Sequence, residues 1–316
     1  MSRIQNILVG VDLHHGDRLA SPEISDEAKA AVDEALRLAA TWSGTVTFCS
    51  ILDISAQTQT LIEGDQQNVF KTVEDVAAKV LSGLVKSANE QGIAAESVVR
   101  FGTAWEELSK ESATGEYDLV MIGTRSRSRA SRFLFGSTSQ KLLRYSPRPV
   151  WVVKPGVPLE IRTIAAASDF SPTSQLVVDE AVTVARALGA RLYLLHAVDL
   201  SDFRYLKIAG MRDEQMSEAE VRLKQISEDK LRDQLQRTDF RTLAHGVKIE
   251  LLNGVPDTII PEFVTANEID LLVMGTKGHS DIADMLLGNT VERILPGLHA
   301  SLLGVKPADF KSPYAK

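Results

Sequence analysis

Residues 269–290 read IDLLVMGTKGHSDIADMLLGNT, and residues 117–138 read YDLVMIGTRSRSRASRFLFGST, the same frame 152 positions earlier. In each, an apolar run of strand length ends at Gly-Thr, a loop follows, and a further glycine with small polar neighbours opens a segment of helical period. Short β-branched runs that alternate with longer helical segments are the pattern of a parallel sheet wrapped by helices. Working outward from this frame, the two halves of the chain match in order. NILVGVD (6–12) answers TIAAASD (163–169), and DEALRLAATWSGTVTFCSILD (33–53) answers DEAVTVARALGARLYLLHAVD (179–199). FGTAWEEL (101–108) answers NGVPDTII (253–260), and PVWVVKP (149–155) answers SLLGVKP (301–307). A repeat near half the chain length means duplicated domains, not a solenoid of short units. The expected fold class is α/β: two tandem doubly wound domains over 1–156 and 160–309, each with a five-stranded parallel sheet flanked by helices. The stretch KPGVPLEIRT is the linker.

Composition agrees with this organisation. A chain of 316 residues, 44% apolar and 24% charged, has material for two cores. A net charge of -7 argues against a nucleic-acid partner, since phosphate binding needs a clustered positive surface. The lone cysteine, Cys49, excludes a disulfide framework within one chain and reads as a buried strand residue. The N-terminus enters an apolar strand without a signal-peptide pattern, and no apolar run approaches membrane-spanning length, so a soluble cytoplasmic protein is the expectation. Phe70, Val73, Ala77, Val80, Leu81, Leu84 and Ala88 fall at helical spacing, as do Met216, Ala219, Leu223 and Ile226. Both stripes are expected to cover sheets; docking a partner is the competing use of such a face.

The glycine frame is where chemistry enters. In the second copy the strand stops at Gly275, Gly278 follows, and Gly288-Asn289-Thr290 opens a helix. Glycine lets the backbone turn and approach an anion, and the first amides of a helix lack internal partners, so the bend between Met274 and Val291 reads as a phosphate cradle of bare amides. The plain alternative is a turn followed by a helix cap. Neither a Gly-x-x-x-x-Gly-Lys-Ser/Thr run nor Gly-x-Gly-x-x-Gly after a first strand is present, which disfavours P-loop ATPases and Rossmann dehydrogenases.

The spacing Gly275, two residues, Gly278, nine residues, Gly288 and then polar residues resembles the universal stress protein family, as do ASDFSP near the start of the second copy, LLHAVD in its second strand, and VKP closing each copy. The resemblance covers essentially the whole chain as two tandem domains. It implies ATP, ADP or AMP, with or without Mg²⁺, lying across the carboxyl ends of the strands of the second domain. Asp169 and Val198 would face adenosine there, and Gly275, Thr276, Gly278, Gly288, Asn289 and Thr290 would hold ribose and phosphates. Asn289 stands where the family often has serine. The resemblance also implies pairing of the two halves through their last strands, as in a dimer, and a homodimer of chains as a further assembly.

The first copy keeps a weaker version of the set: Asp12, Leu52, Gly123, Gly136, Ser137 and Thr138. Ser126 occupies the place of Gly278, and Arg125, Arg127, Arg129 and Arg132 crowd the loop. That loop is open to three uses: an anion site, a docking surface for an acidic partner, or a basic face in water. His14 and His15 point to opposite sides of an extended chain and make no metal pair. His196 reads as a core or site-lining residue. The expected function is a regulatory nucleotide binder. A slow ATP hydrolase, with Asp169 or His279 orienting water, and a nucleotide-free interaction protein are the alternatives.

Overall fold

A computed structural model describes residues 4–13, 24–54, 67–124, 135–155, 160–277 and 287–314. The chain divides into two compact units. The first comprises Met1–Leu159 with Asp309–Lys316, and the second Glu160–Ala308.

In the first unit β1 (Asn6–Gly10), β2 (Thr45–Leu52), β3 (Ala94–Phe101), β4 (Leu119–Gly123) and β5 (Val150–Val153) run parallel in the order β3-β2-β1-β4-β5. In the second, β6 (Thr163–Ala167), β7 (Arg191–Val198), β8 (Val247–Asn253), β9 (Leu271–Gly275) and β10 (Ser301–Val305) run parallel in the order β10-β9-β6-β7-β8. The strands β4 and β9 are buried up to their closing glycines, as the near-continuous apolar runs require of parallel strands covered on both faces. The strand order reverses at β6: from it the chain first builds outward to β7 and β8, then returns to β9 on its other side. Such a switch point leaves a crevice beyond the carboxyl ends of the strands.

Local chemistry sets the helix starts that border that crevice. The Pro172–Leu188 helix has Pro at its first position and ends at Gly189 in the left-handed region. The Pro256–Ala266 helix follows Gly254, whose φ of +141° only glycine adopts without strain. The Gly254 amide donates to the Val198 carbonyl at 3.1 Å, tying the end of β7 to the helix entry. The first unit repeats the device: Gly102, φ +134°, donates to the Leu52 carbonyl at 3.0 Å.

The stripe on the Gln67–Glu90 helix buries Ala77, Leu81 and Ala88 fully. On the Asp213–Gln236 helix the buried residues are instead Ser227, Leu231, Gln234 and Leu235, while Ile226 is 45% exposed. Both helices are longer than the strands beside them. Twenty-four helical residues rise about 36 Å, but an eight-residue strand such as β7 spans only about 26 Å. The carboxyl half of the helix covers the sheet and the amino half overhangs it. The chain end was likewise not foreseen. Ser312 Oγ donates to the Tyr145 carbonyl at 2.6 Å, and the Tyr314 ring meets Trp105 edge-on at 5.6 Å, all within the first unit.

Candidate functional site

A cavity of about 300 Å³ opens beyond the carboxyl ends of β6, β7 and β9 in the second unit. The strand ends supply Ala167 to Asp169, Leu195 to Ala197, and Met274 with Gly275. Helix starts supply Ser174, Pro256, Ile260 and Gly288 to Val291, and Lys277 completes the lining. The lining mixes apolar residues such as Leu195 and Ile260 with polar ones such as Asp169, Asn289 and Thr290, as is usual in a small-molecule site.

Asp169 reaches the cavity and also shapes the adjoining helix. Its Oδ1 accepts from the Ser171 amide at 3.0 Å and from Ser174 Oγ, and its own amide donates to Ser174 Oγ at 3.1 Å. These bonds give Asp169 a role in starting that helix as well as a place in the lining. Phe170, in the left-handed region at φ +62°, turns its ring onto His196 with centroids 4.1 Å apart. Lys230 Nζ lies 5.0 Å from the Phe170 ring centroid. His196 Nδ1 lies 2.9 Å from the Ser168 carbonyl oxygen, which can only accept, so Nδ1 carries the proton and Nε2 keeps its lone pair. Burial pulls the His196 pKa below the ordinary histidine value, outweighing the Ser168 carbonyl and the Asp169 charge, and Lys230 adds to the depression. The ring is neutral at physiological pH.

Of the residues expected at the ligand, Asp169, Gly275, Gly288, Asn289 and Thr290 converge on this cavity. Val198 and Thr276 are not among its lining residues. The Val198 side chain is 2% exposed, and what it contributes is the carbonyl that anchors Gly254. Thr276 is fully buried: its amide donates to the Val305 carbonyl at 2.9 Å, and its carbonyl accepts from the Gly288 amide at 2.7 Å. Thr276 is therefore a clamp that pins the start of the Asn289–Ile294 helix to the end of β9. The cradle of bare amides is correspondingly narrower than expected, since the Thr276 and Gly288 amides are spent inside the protein. The Asn289, Thr290 and Val291 amides have no partner among the described residues, and the glycine before them offers no side-chain cap. Gly278 and His279 lie outside the described residues.

The first unit's counterpart differs at its centre. A Cβ built on Gly123 would collide with the Glu27 carbonyl oxygen, because the first turn of the Asp26–Trp42 helix lies against the end of β4. At the matching Gly275, a Cβ would meet only Thr173 Cγ2 and the Lys277 oxygen, each at 3.1 Å. The helix starts also differ, for residues 11–25 join β1 to its helix where residues 168–171 suffice in the second unit. There Ser25, not Asp12, caps the helix, its Oγ accepting from the Ala28 amide at 3.1 Å. Leu52 is 2% exposed, and its carbonyl anchors Gly102 as Val198 anchors Gly254. Gly136 precedes the Ser137–Tyr145 helix, whose first turn carries Thr138. The arginine loop, Ser126 included, and His14 with His15 lie outside the described residues. We expect Gly123→Ala to destabilise the protein by about 2 kcal/mol or more through overpacking against helix backbone, and Gly275→Ala by less than about 1 kcal/mol. Urea unfolding midpoints of the two variants check the contrast.

Among the described residues no group of three or more His, Cys, Asp or Glu is placed to hold a metal, and no helix is long and apolar enough to cross a membrane. His196 takes the site-lining of the two places read for it, whereas Ser174, Pro256, Ile260 and Lys277 were not expected in the lining. The signal that finds them is the strand-order reversal, which brings the end of β7 and the start of the helix after β8 to one crevice.

Comparison with known proteins follows the same division of the chain. The sequence profile of the universal stress protein family matches residues 3–154 and again 160–306. The chain is similar to universal stress protein E of Salmonella typhi, 24% identical over 99% of this chain and 98% of that protein. It is similar to universal stress protein E of Escherichia coli K12 at 23% identity, over 99% and 97%. Its fold resembles the crystal structure of a universal stress protein from Archaeoglobus fulgidus, with a TM-score of 0.67 at 17% identity, covering 96% of this chain and 99% of that one.

Proposed function

The chain belongs to the universal stress protein family as a tandem of two such domains, and from that premise we propose that its second domain binds ATP or a related adenine nucleotide as a regulatory ligand in the stress response. The observation that carries this reading is the cavity at the strand-order reversal, where Asp169, Gly275, Gly288, Asn289 and Thr290 meet after separation by up to 121 positions in the sequence. Its volume of about 300 Å³ stands at the lower end of the roughly 300–1,000 Å³ typical of ligand sites. The adenosine lies against Leu195, Ala197, Pro256 and Ile260, with Asp169 toward the ribose. The phosphates lie toward the Asn289, Thr290 and Val291 amides. Nucleotide acts by favouring one conformational or assembly state over another, which requires only that it bind the two unequally. Chemistry at the phosphates is not needed for that.

The crowding of Gly123 by helix backbone supports assigning the ligand to the second domain and not the first. Calorimetric titration of the full chain with ATP, ADP and AMP, with and without Mg²⁺, tests the reading. One nucleotide per chain without sustained ATP turnover is expected. Absence of binding by all three, together with no nucleotide released from freshly purified protein, would overturn it. Steady turnover would instead favour the hydrolase.

A further inference from the structure

Little positive charge is left to meet a phosphate tail in this cavity. The Thr276 and Gly288 amides are bonded within the protein, His196 is held neutral, and the helix that opens at Asn289 has six residues. The acidic Asp169 stands in the same lining. Among the described lining residues the ammonium is that of Lys277. The backbone of Lys277 is fixed by its neighbour. The Thr276 carbonyl holds the Gly288 amide at 2.7 Å, so the chain leaves Thr276 into Lys277 beside the start of the Asn289–Ile294 helix. The Lys277 carbonyl turns back over Gly275, a close approach that a side chain at 275 would hinder.

Resting on the nucleotide reading above, we infer that Lys277 selects the ligand by its phosphate charge, so that the cavity takes an adenine di- or triphosphate in preference to the nucleoside or a monophosphate. A lysine ammonium is a compact point charge suited to terminal phosphate oxygens.

The test titrates adenosine, AMP, ADP, ATP and inorganic tripolyphosphate into the full-length protein and into Lys277→Gln and Lys277→Arg. In the unaltered chain, affinity is expected to climb at least tenfold from adenosine to ATP. Lys277→Gln flattens the climb and leaves adenosine affinity unchanged, Lys277→Arg restores most of it, and tripolyphosphate binds only where position 277 is basic. An undiminished climb in Lys277→Gln overturns the inference. If adenosine and ATP fail to bind the unaltered chain while tripolyphosphate binds through Lys277, the adenine reading falls and the anion role of Lys277 stands. Failure of all five ligands removes both.

Discussion

Ala167→Phe is expected to weaken nucleotide binding at least 100-fold, a loss of about 2.7 kcal/mol or more, while leaving both units folded. Ala167 ends β6 in register with Leu195 of β7 and Met274 of β9, and its side chain borders the cavity where the three strands stop. A phenyl ring there occupies the volume assigned to the adenosine without entering the packed layer beneath, since Ala166 and Ala165 fill that layer and stay unchanged. Filling a cavity normally stabilises or leaves a fold unchanged. Binding and stability should therefore part company, with the melting temperature held or raised as affinity vanishes. Calorimetry and thermal unfolding of the same preparation read both. Affinity retained in a folded Ala167→Phe protein would place the nucleotide elsewhere.

Lys306→Met is expected to stabilise the protein at pH 7 by an amount of order 3 kcal/mol, and the gain should shrink as pH rises. Burial, with Lys277 adding to it, holds the Lys306 pKa down at about 7. In an unfolded chain a lysine titrates near 10.4. Between those values the unfolded state binds a proton that the folded state does not, so stability of the unaltered protein rises with pH across that window. Methionine removes the proton and the slope together while keeping a flexible apolar stem in place. Urea unfolding of the two proteins at pH 7, 8 and 9 measures the difference. A gap that stays constant, or a variant less stable at pH 7, contradicts the account. The direction is opposite to that of a lysine whose folded pKa is raised, where the mutation would be destabilising.

The duplication and the parallel sheets were legible because both are written in local patterns: strand-length apolar runs, helical stripes, and glycines at joints. Part of the cavity lining was legible in the same way. Gly275, Gly288, Asn289 and Thr290 sit at a strand end and a helix start that the frame itself marks, and Asp169 follows the first strand of its copy. Val198 and Thr276 lie off the cavity lining for a related reason. At a strand end, one residue decides whether a side chain meets the crevice or the core, and the partners that commit these two, Gly254 and Val305, are supplied by other strands and turns. Lys277 and Pro256 join the cavity lining only once the sheet order is known. The cradle of bare amides is narrower than the frame suggests on the same ground, because the acceptor of the Thr276 amide lies 29 positions away on β10. The overhang of the Asp213–Gln236 helix depends on strand length in its neighbours, which its own periodicity does not contain.

The most direct measurement of the central claim is a crystal structure of the full-length protein grown with excess ATP and Mg²⁺. The account predicts an adenine nucleotide beyond the ends of β6, β7 and β9, its base against Ala197 and Ile260 and its phosphates beside Lys277 and the Asn289 and Thr290 amides. A cavity closed by the protein's own side chains, or a nucleotide seated away from these strand ends, would contradict it.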